Sequence, residues 1–512
     1  MEQTPQSKVL ALKDIARRIE ANKSKGKKVV LCHGVFDIVH LGHIRHFNMA
    51  KKDADILVVT LTADKHVKRG PGRPFFKERL RAETIASLGV VDYVGIVDAP
   101  TAIEAIKVLK PNFYAKGIEY KKREQDVTGK IFEEEETLKS VGGSIVFTDD
   151  ITFSSSQIIN NYFDIFPPRT SHYLKAIGKR YSIEQIVGSL ESLKKLKVLV
   201  IGDAIIDEYH YCTPMGKSSK EHLVVNRYIS EEMFAGGALA TANNVASVCG
   251  QVDLITVLGK QDSKESFIRE RLTSNVKPKF FYRPDTNTIV KRRFVHEGGN
   301  NRKLFEICYM KDNDIPTQVE SDIARHLQKV IANYDCVLIS DFGHGLMTKK
   351  LIDLVCSKAK YLAVNAQTNS ANIGFNLVTK YPHADCICID ELELRFAAHD
   401  KFSDPRHLAQ KVYEQIGCKQ IIATRGAHGS LSYSKKEGFH ETPAFSYKVV
   451  DAIGAGDAFF AFVAPCFASG YPQDIVSFIG NAAGSLAVQI VCNREPVMAV
   501  DLMKFIVRLL KY

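Results

Sequence analysis

Near the C-terminus, Asp451-Ala-Ile-Gly-Ala-Gly-Asp-Ala458 stands between Tyr447-Lys-Val-Val450, which reads as a strand end, and Phe459-Phe-Ala-Phe-Val463, which reads as an apolar helix. A strand, a glycine-rich turn and a helix start in that order leave a row of backbone N–H groups unpaired at the positive end of a helix dipole. Such a place binds anions. Gly454 and Gly456 let the backbone approach a phosphate closely, and the N–H groups of Ala455, Gly456 and Asp457 are placed to receive its charge. The Asp457 carboxylate, just inside the turn, is placed to take a proton from an attacking hydroxyl. The spacing therefore suits phosphoryl transfer, in which positioning and charge stabilisation do most of the work. A bare Gly-x-Gly turn would be an ordinary loop; the full octapeptide carries the argument.

At 512 residues the chain is too long for one ordinary core and divides naturally into two or three domains. Hydrophobic content of 45% and charged content of 25% are those of a soluble globular protein, and no apolar run reaches the roughly 18–20 residues of a membrane span. The segment Met1–Ser7 lacks a basic-then-apolar leader pattern. A cytoplasmic enzyme is expected. The 11 cysteines contain no Cys-x-x-Cys pair, which predicts reduced, mostly buried thiols and no zinc site. A net charge of +11 suits anionic substrates, and its even spread, without a basic stripe or stacking aromatics, argues against nucleic acid.

A second chemical centre lies in the N-terminal part. The spacing of Val9, Leu12, Ile15 or Ala16, and Ile19 predicts a packing helix over residues 8–20. Next, Val29-Val-Leu-Cys-His-Gly-Val-Phe-Asp-Ile-Val-His-Leu-Gly-His43 reads as a buried strand, a glycine turn and a helix. His40 and His43 share one face of the first helical turn, Gly42 lets a ligand lie close, and two imidazoles at a helix N-terminus can donate to a phosphate. Gly34, Phe36 and Asp37 complete the pattern. The combination of Gly34-x-Phe-Asp37 with His40-x-Gly-His43 resembles the cytidylyltransferase-like superfamily of nucleotidyltransferases, from about Lys8 to Asn160. That resemblance implies a parallel, Rossmann-like α/β sheet with its site at the strands' carboxyl ends. It also implies nucleotide or phosphate contacts from Asp64, Lys68, Arg73, Lys116, Ser154, Ser155 and Ser156.

Pro167-Pro168 and a polar helical run at residues 182–193 mark a boundary, giving domains over 1–162 and 195–512 joined by 163–194. The signature at Asp451–Ala458 resembles that of ribokinase-like (PfkB) carbohydrate kinases, which implies a larger α/β domain with a small β lid. The resemblance places Asp207, Gly236, Gly237 and Asp341 around a sugar, and Thr424, Gly426, Gly429 and Asn481 around ATP. It gives Glu393 a role in organising Mg²⁺ through water. Lys291 and Arg293, on one face of a strand, either meet a substrate phosphate or face solvent. Ala240, Asn365, Gln367 and Asp390 depart from the family pattern.

Together the two signatures resemble the bifunctional bacterial enzymes of ADP-heptose synthesis, with the order of the halves reversed. The resemblance implies a sugar kinase using ATP and Mg²⁺ and a sugar-phosphate nucleotidyltransferase using ATP or CTP, with Asp457, His40 and His43 catalytic. It implies sugar or sugar-phosphate substrates, no membrane partner, and a homodimer paired through the lids. The alternative is a nucleotidyltransferase for another polyol or sugar phosphate beside a kinase-like domain that only binds its ligand.

Overall fold

The computed structural model describes residues 4–67, 73–118, 130–148, 166–297, 302–446 and 448–511. The chain forms two compact units, one of Met1–Pro167 with Met503–Tyr512 and one of Pro168–Leu502. Among the described residues no helix is long and apolar enough to cross a membrane. All 11 cysteines are free, and nine are buried.

The first unit holds a parallel sheet of β1 (Val29–Gly34), β2 (Ile56–Thr62), β3 (Tyr93–Val97), β4 (Phe113–Gly117) and β5 (Ser144–Thr148), in the order β3-β2-β1-β4-β5. The runs Val29–Cys32 and Ile56–Leu61 are fully buried, as strands covered on both faces require. Strand order reverses between β1 and β4, the place where open parallel sheets form ligand crevices. The helix Leu41–Ala50 follows β1 and starts at this reversal.

The helix expected over residues 8–20 is displaced. One short turn covers Pro5–Lys8, and the main helix runs Leu12–Lys23, with Ile15 and Ile19 buried as the spacing predicts. Between them Val9 bridges Val94, and the Leu10 N–H donates to the Val94 carbonyl at 2.9 Å. That segment covers the open edge of β3, which would otherwise expose unpaired backbone groups.

Arg81 is the largest fully buried side chain among the described residues. Its guanidinium donates to the carbonyls of Val35, Thr62 and Phe76 and pairs with Asp64 at 2.8 Å. One side chain thus ties together the loops after β1 and β2 and the approach to its own helix, Glu78–Ala86.

The second unit opens with the helices Pro168–Arg180 and Ile183–Ser192; Ser182 and Gln185 form a capping box on the latter. Its main sheet comprises β6 (Lys197–Gly202), β9 (Gln251–Gly259), β10 (Val276–Arg283), β13 (Cys336–Asp341), β14 (Leu362–Ala366), β15 (Cys386–Asp390), β16 (Gln420–Thr424), β17 (Ser430–Ser434) and β18 (Gly438–Thr442). The order is β10-β9-β6-β13-β14-β15-β16-β17-β18, parallel as far as β16 and antiparallel beyond it. A second sheet, in the order β12-β11-β7-β8, combines β7 (Ala204–Lys217), β8 (Val224–Gly237), β11 (Ile289–His296) and β12 (Lys303–Tyr309). It is the expected lid. Only Asp203 separates β6 from β7, so the chain passes from the main sheet straight into the lid.

The strand end expected at residues 447–450 is absent from the described part, 448–450. The N–H groups of Val450 and Asp451 instead donate to the Val488 carbonyl, at 2.8 and 3.2 Å. Because β18 lies at the edge of the main sheet, the chain must leave that sheet before reaching the glycine turn.

Replacing Arg81 with Met would leave three carbonyls and Asp64 without their donor. We expect a loss of about 3 kcal/mol, measurable by urea denaturation of the full chain, with Asp64→Asn less harmful.

Candidate active sites

In the second unit the carboxyl ends of β13–β16, the lid strands β7 and β11, and the glycine turn enclose a cavity of about 560 Å³. Its lining includes Asp207, Gly237, Lys291, Arg293, Glu393, Thr424, Gly426, Gly454, Gly456 and Asp457, all singled out from sequence. The helix Ala455–Ala468 begins at Gly454, which has φ +83°, and a Cβ there would lie 2.0 Å from Asn493 Oδ1. Only glycine fits. A Cβ at Gly456 would meet nothing within 4 Å, so this glycine keeps space open for a ligand. The N–H groups of Gly456 and Asp457 find no acceptor among the described residues, whereas the Ala455 N–H donates to Ala452 at 3.3 Å. The turn therefore presents two unengaged donors and itself occupies the Ala455 N–H.

Asp457 is 6% exposed. Gln367 Nε2 donates to its Oδ1 at 2.6 Å and to Asn365 Oδ1 at 2.8 Å, while Asn365 Nδ2 donates to the Cys388 carbonyl at 2.6 Å. Burial pushes the Asp457 carboxyl up to about 7, against the lowering effect of the Gln367 hydrogen bond. A carboxylate so placed is close to the ideal for a base at neutral pH.

Lys291 and Arg293 alternate on β11 and are buried, so neither faces solvent. Arg293 is held by Asp207 and, at 2.6 Å, by Glu306. Lys291 has no carboxylate partner among the described residues and lies 5.8 Å from the Phe342 ring centroid. It leaves an ammonium ion available in the cavity. Gly236 lets Asp207 lie against the backbone, since a Cβ would sit 2.0 Å from Asp207 Oδ2.

Three residues expected at the ligand are engaged elsewhere. Asp341 is 1% exposed and accepts from Tyr381 at 2.7 Å, Lys380 at 2.6 Å and the Gly343 N–H at 2.9 Å. It braces the strand end instead of meeting the cavity. Asn481 donates to Ser430 Oγ and the Ser477 carbonyl, and Gly429 packs against the Thr442 carbonyl; both join the helix Gln473–Ala487 and the antiparallel edge to the core. Glu393 lines the cavity but forms a capping box with Asp390, and its two oxygens accept from the N–H groups of Thr368 and Asp390 at 2.7 and 2.8 Å. Burial and the neighbouring Asp390 raise its pKa.

In the first unit, His40 caps the helix Leu41–Ala50, its Nδ1 accepting from the Gly42 N–H at 3.2 Å. A neutral imidazole that accepts at Nδ1 carries its proton on Nε2. That nitrogen is buried and has no partner among the described residues, and burial lowers the pKa of the ring. The His40 and His43 rings lie 3.9 Å apart, with Phe36 edge-on to His43 at 5.2 Å. Phe36 adopts φ +48°, a tight reversal beside Gly34. Asp37 accepts from Arg73 at 2.8 Å and from the Phe75 and Phe76 N–H groups, so it shapes the loop and holds Arg73. Asp64 is committed to Arg81, and Lys116 pairs with Glu134 at 2.9 Å. Lys68, Ser154, Ser155 and Ser156 lie outside the described residues.

Residues 195–495, more than half of the chain, match the family model of the pfkB family carbohydrate kinases. This chain belongs to the pfkB family. The Cytidylyltransferase-like family model matches residues 31–161. The chain is 36% identical over 160 residues to Bifunctional protein HldE of Geobacter metallireducens, covering 31% of each chain. Bifunctional protein HldE of Campylobacter jejuni is 41% identical over 301 residues, 58% of this chain and 62% of that protein. The chain thus matches less than two thirds of the length of these relatives. Phosphofructokinase-2 from Escherichia coli, in complex with potassium, superposes with a TM-score of 0.51 at 15% identity, covering 61% of this chain and 99% of that one. That likeness shows the pfkB fold of the second unit.

Sequence reasoning missed Gln367 as a partner of Asp457. Within the pfkB pattern it registered only as a missing charge.

The raised pKa of Asp457 links its ionisation to stability. The folded state holds this proton more tightly than an unfolded chain with its carboxyl near 3.8, so the stabilising contribution is complete below pH 4 and is lost as pH rises through about 7. Asp457→Asn should therefore raise Tm relative to the wild type at pH 8, with the gain disappearing towards pH 4; thermal denaturation at both pH values checks this.

Proposed function

We propose that the second unit is an ATP-dependent kinase for a sugar or sugar phosphate, and that the first is a sugar-phosphate nucleotidyltransferase. Together they would make a nucleotide-activated, heptose-like sugar for a surface glycan. The observation that carries the kinase reading is Asp457: a buried carboxyl poised near neutral pH, beside two unengaged amides at a helix start, facing the cavity.

In the kinase step, Asp457 takes the proton of the sugar hydroxyl as its oxygen attacks the γ-phosphate of ATP. The amides of Gly456 and Asp457 stabilise charge on the transferring group. Lys291 meets a phosphate on the sugar, while Asp207, held by Arg293, accepts from its hydroxyls. Mg²⁺ fits this cavity as an ion held mainly by triphosphate and water. No group of three ligating side chains stands ready among the described residues, and Glu393 has both oxygens on backbone amides. Asp390 and Glu393 would hold its waters. When bound, it would supply charge neutralisation on the triphosphate.

In the nucleotidyl transfer, a phosphate oxygen of the sugar phosphate attacks the α-phosphate of ATP or CTP, and pyrophosphate leaves. His40 donates from Nε2 to a non-bridging oxygen of the α-phosphate as its phosphorus becomes crowded, with His43 beside it. Arg73, held by Asp37, is the nearby cation. A cytoplasmic reaction is supported by the free thiols, which persist in a reducing compartment. A homodimer paired through the lids is supported by the outer face of β12, where Phe305, Ile307 and Tyr309 are 51%, 41% and 40% exposed. Analytical ultracentrifugation of the full chain should give twice the monomer mass, and Phe305→Asp should shift it towards monomer.

The deciding assay is mass spectrometry of products from purified full chain, Mg²⁺, ATP and CTP with a panel of sugars and sugar phosphates. We expect a nucleotide-sugar that is lost in His40→Ala, and a sugar phosphorylation that falls roughly 10³-fold in Asp457→Asn. Wild-type phosphorylation should rise with pH through about 7, as Asp457 ionises. ATP consumption without any nucleotide-sugar would defeat the bifunctional reading, and full kinase activity in Asp457→Asn would favour a kinase-like domain that only binds its ligand.

A further inference from the structure

Asp451, the first residue of the glycine turn, is 4% exposed and accepts from four donors on four segments. Tyr209 of lid strand β7 donates from its hydroxyl at 2.7 Å, and Lys303 of lid strand β12 from its ammonium at 2.7 Å. The N–H groups of Ile453, within the turn, and Cys492 donate at 3.2 Å each. Burial would raise this carboxyl, but the Lys303 and Tyr209 hydrogen bonds outweigh it and hold the group below its usual range. Of the four donors only Lys303 carries charge. A buried carboxylate left with neutral donors alone is strongly disfavoured.

A second strap runs parallel to the first. Glu232 of lid strand β8 takes a bidentate pair of hydrogen bonds from Arg494, whose neighbour Asn493 packs where a Cβ on Gly454 would lie. Lid strands therefore reach the anion turn from two sides, at Asp451 and behind Gly454. Both paths end on the backbone that presents the Gly456 and Asp457 amides.

We propose that Lys303 is a positioning residue for phosphoryl transfer: by placing a lid-borne cation on Asp451, it fixes the anion-binding turn in its working geometry only while the lid sheet lies against it. The inference rests on the kinase reading above. Its mechanical part, the dependence of turn order on a lid side chain, stands independently of activity. The Lys303 side chain is 34% exposed, so a small amine from solvent can reach its place once the side chain is shortened.

The test uses full-length Lys303→Met and Lys303→Arg. Hydrogen exchange followed by mass spectrometry should show peptides covering residues 452–458 exchanging about tenfold faster in Lys303→Met, with the core strands β6 and β13 unchanged. Lys303→Arg should keep wild-type protection. In the phosphorylation assay, Lys303→Met should lose up to roughly 10²-fold in kcat with KM for ATP less affected, as expected from misplacing donors by a fraction of an ångström. Methylammonium should restore part of that loss in Lys303→Met and none in Asp451→Asn. Unchanged exchange over 452–458 in Lys303→Met overturns the proposal, as does equal loss in both variants with a general fall in Tm and no amine rescue. If the wild type phosphorylates no sugar, the kinase reading fails and the exchange result alone decides the coupling.

Discussion

A carboxylate buried at the start of an apolar helix needs a donor that holds it without discharging it, and in the second unit that donor is Gln367. A cation at this position would favour the ionised form and pull the Asp457 pKa down. An amide orients the same oxygen and leaves burial in control. Asn365 and the Cys388 carbonyl fix the amide in turn, so the relay crosses the ends of β14 and β15 before reaching the helix that carries Asp457. The positions that look like lost charges in the sequence form a neutral scaffold for one charge that matters.

The first unit solves a related problem with different chemistry. Here a histidine caps a helix: His40 spends one ring nitrogen on the Gly42 amide, which fixes the tautomer and leaves the buried Nε2 without a partner among the described residues. The buried pair of Asp37 and Arg73 anchors the loop alongside, with side-chain exposures of only 2% and 4%. Arg81 locks the loops behind it.

Much of this was legible in the sequence because the informative residues lie in short contiguous motifs. Gly454, Gly456 and Asp457, or His40, Gly42 and His43, need only local geometry to come together. The lid was implied by the family resemblance, and alternation along β11 put Lys291 and Arg293 on one face. What the sequence hid depends on distant partners. Asp341 and Lys116 look exposed to ligand until Tyr381, Lys380 and Glu134 are seen to occupy them. Asn481 and Gly429 belong to packing for the same reason, and residues 448–450 miss the strand because the sheet edge lies elsewhere. Periodicity placed Ile15 and Ile19 in the core, but it could not show that Val9 would be diverted to cover β3.

The passage from β6 into β7 through Asp203 bears on how the lid can move. The return path, from β8 into the helix Ala238–Ala246, runs through Gly237, whose φ is +58°. These two crossing points touch: the Ala238 N–H donates to the Asp203 carbonyl at 3.0 Å, and a Cβ on Gly237 would sit 2.5 Å from that same oxygen. The Asp203 carboxylate meanwhile accepts from the Phe342 N–H at 3.0 Å, anchoring the pair to the end of β13. The β7–β8 arm of the lid is thus tethered at two adjacent, mutually bonded points, while β11 and β12 join the same sheet through connections of their own, from β10 and towards the helix Thr317–Val330. The base of the hairpin is therefore fixed to the main sheet, and freedom to move is greatest at the far ends of β7 and β8.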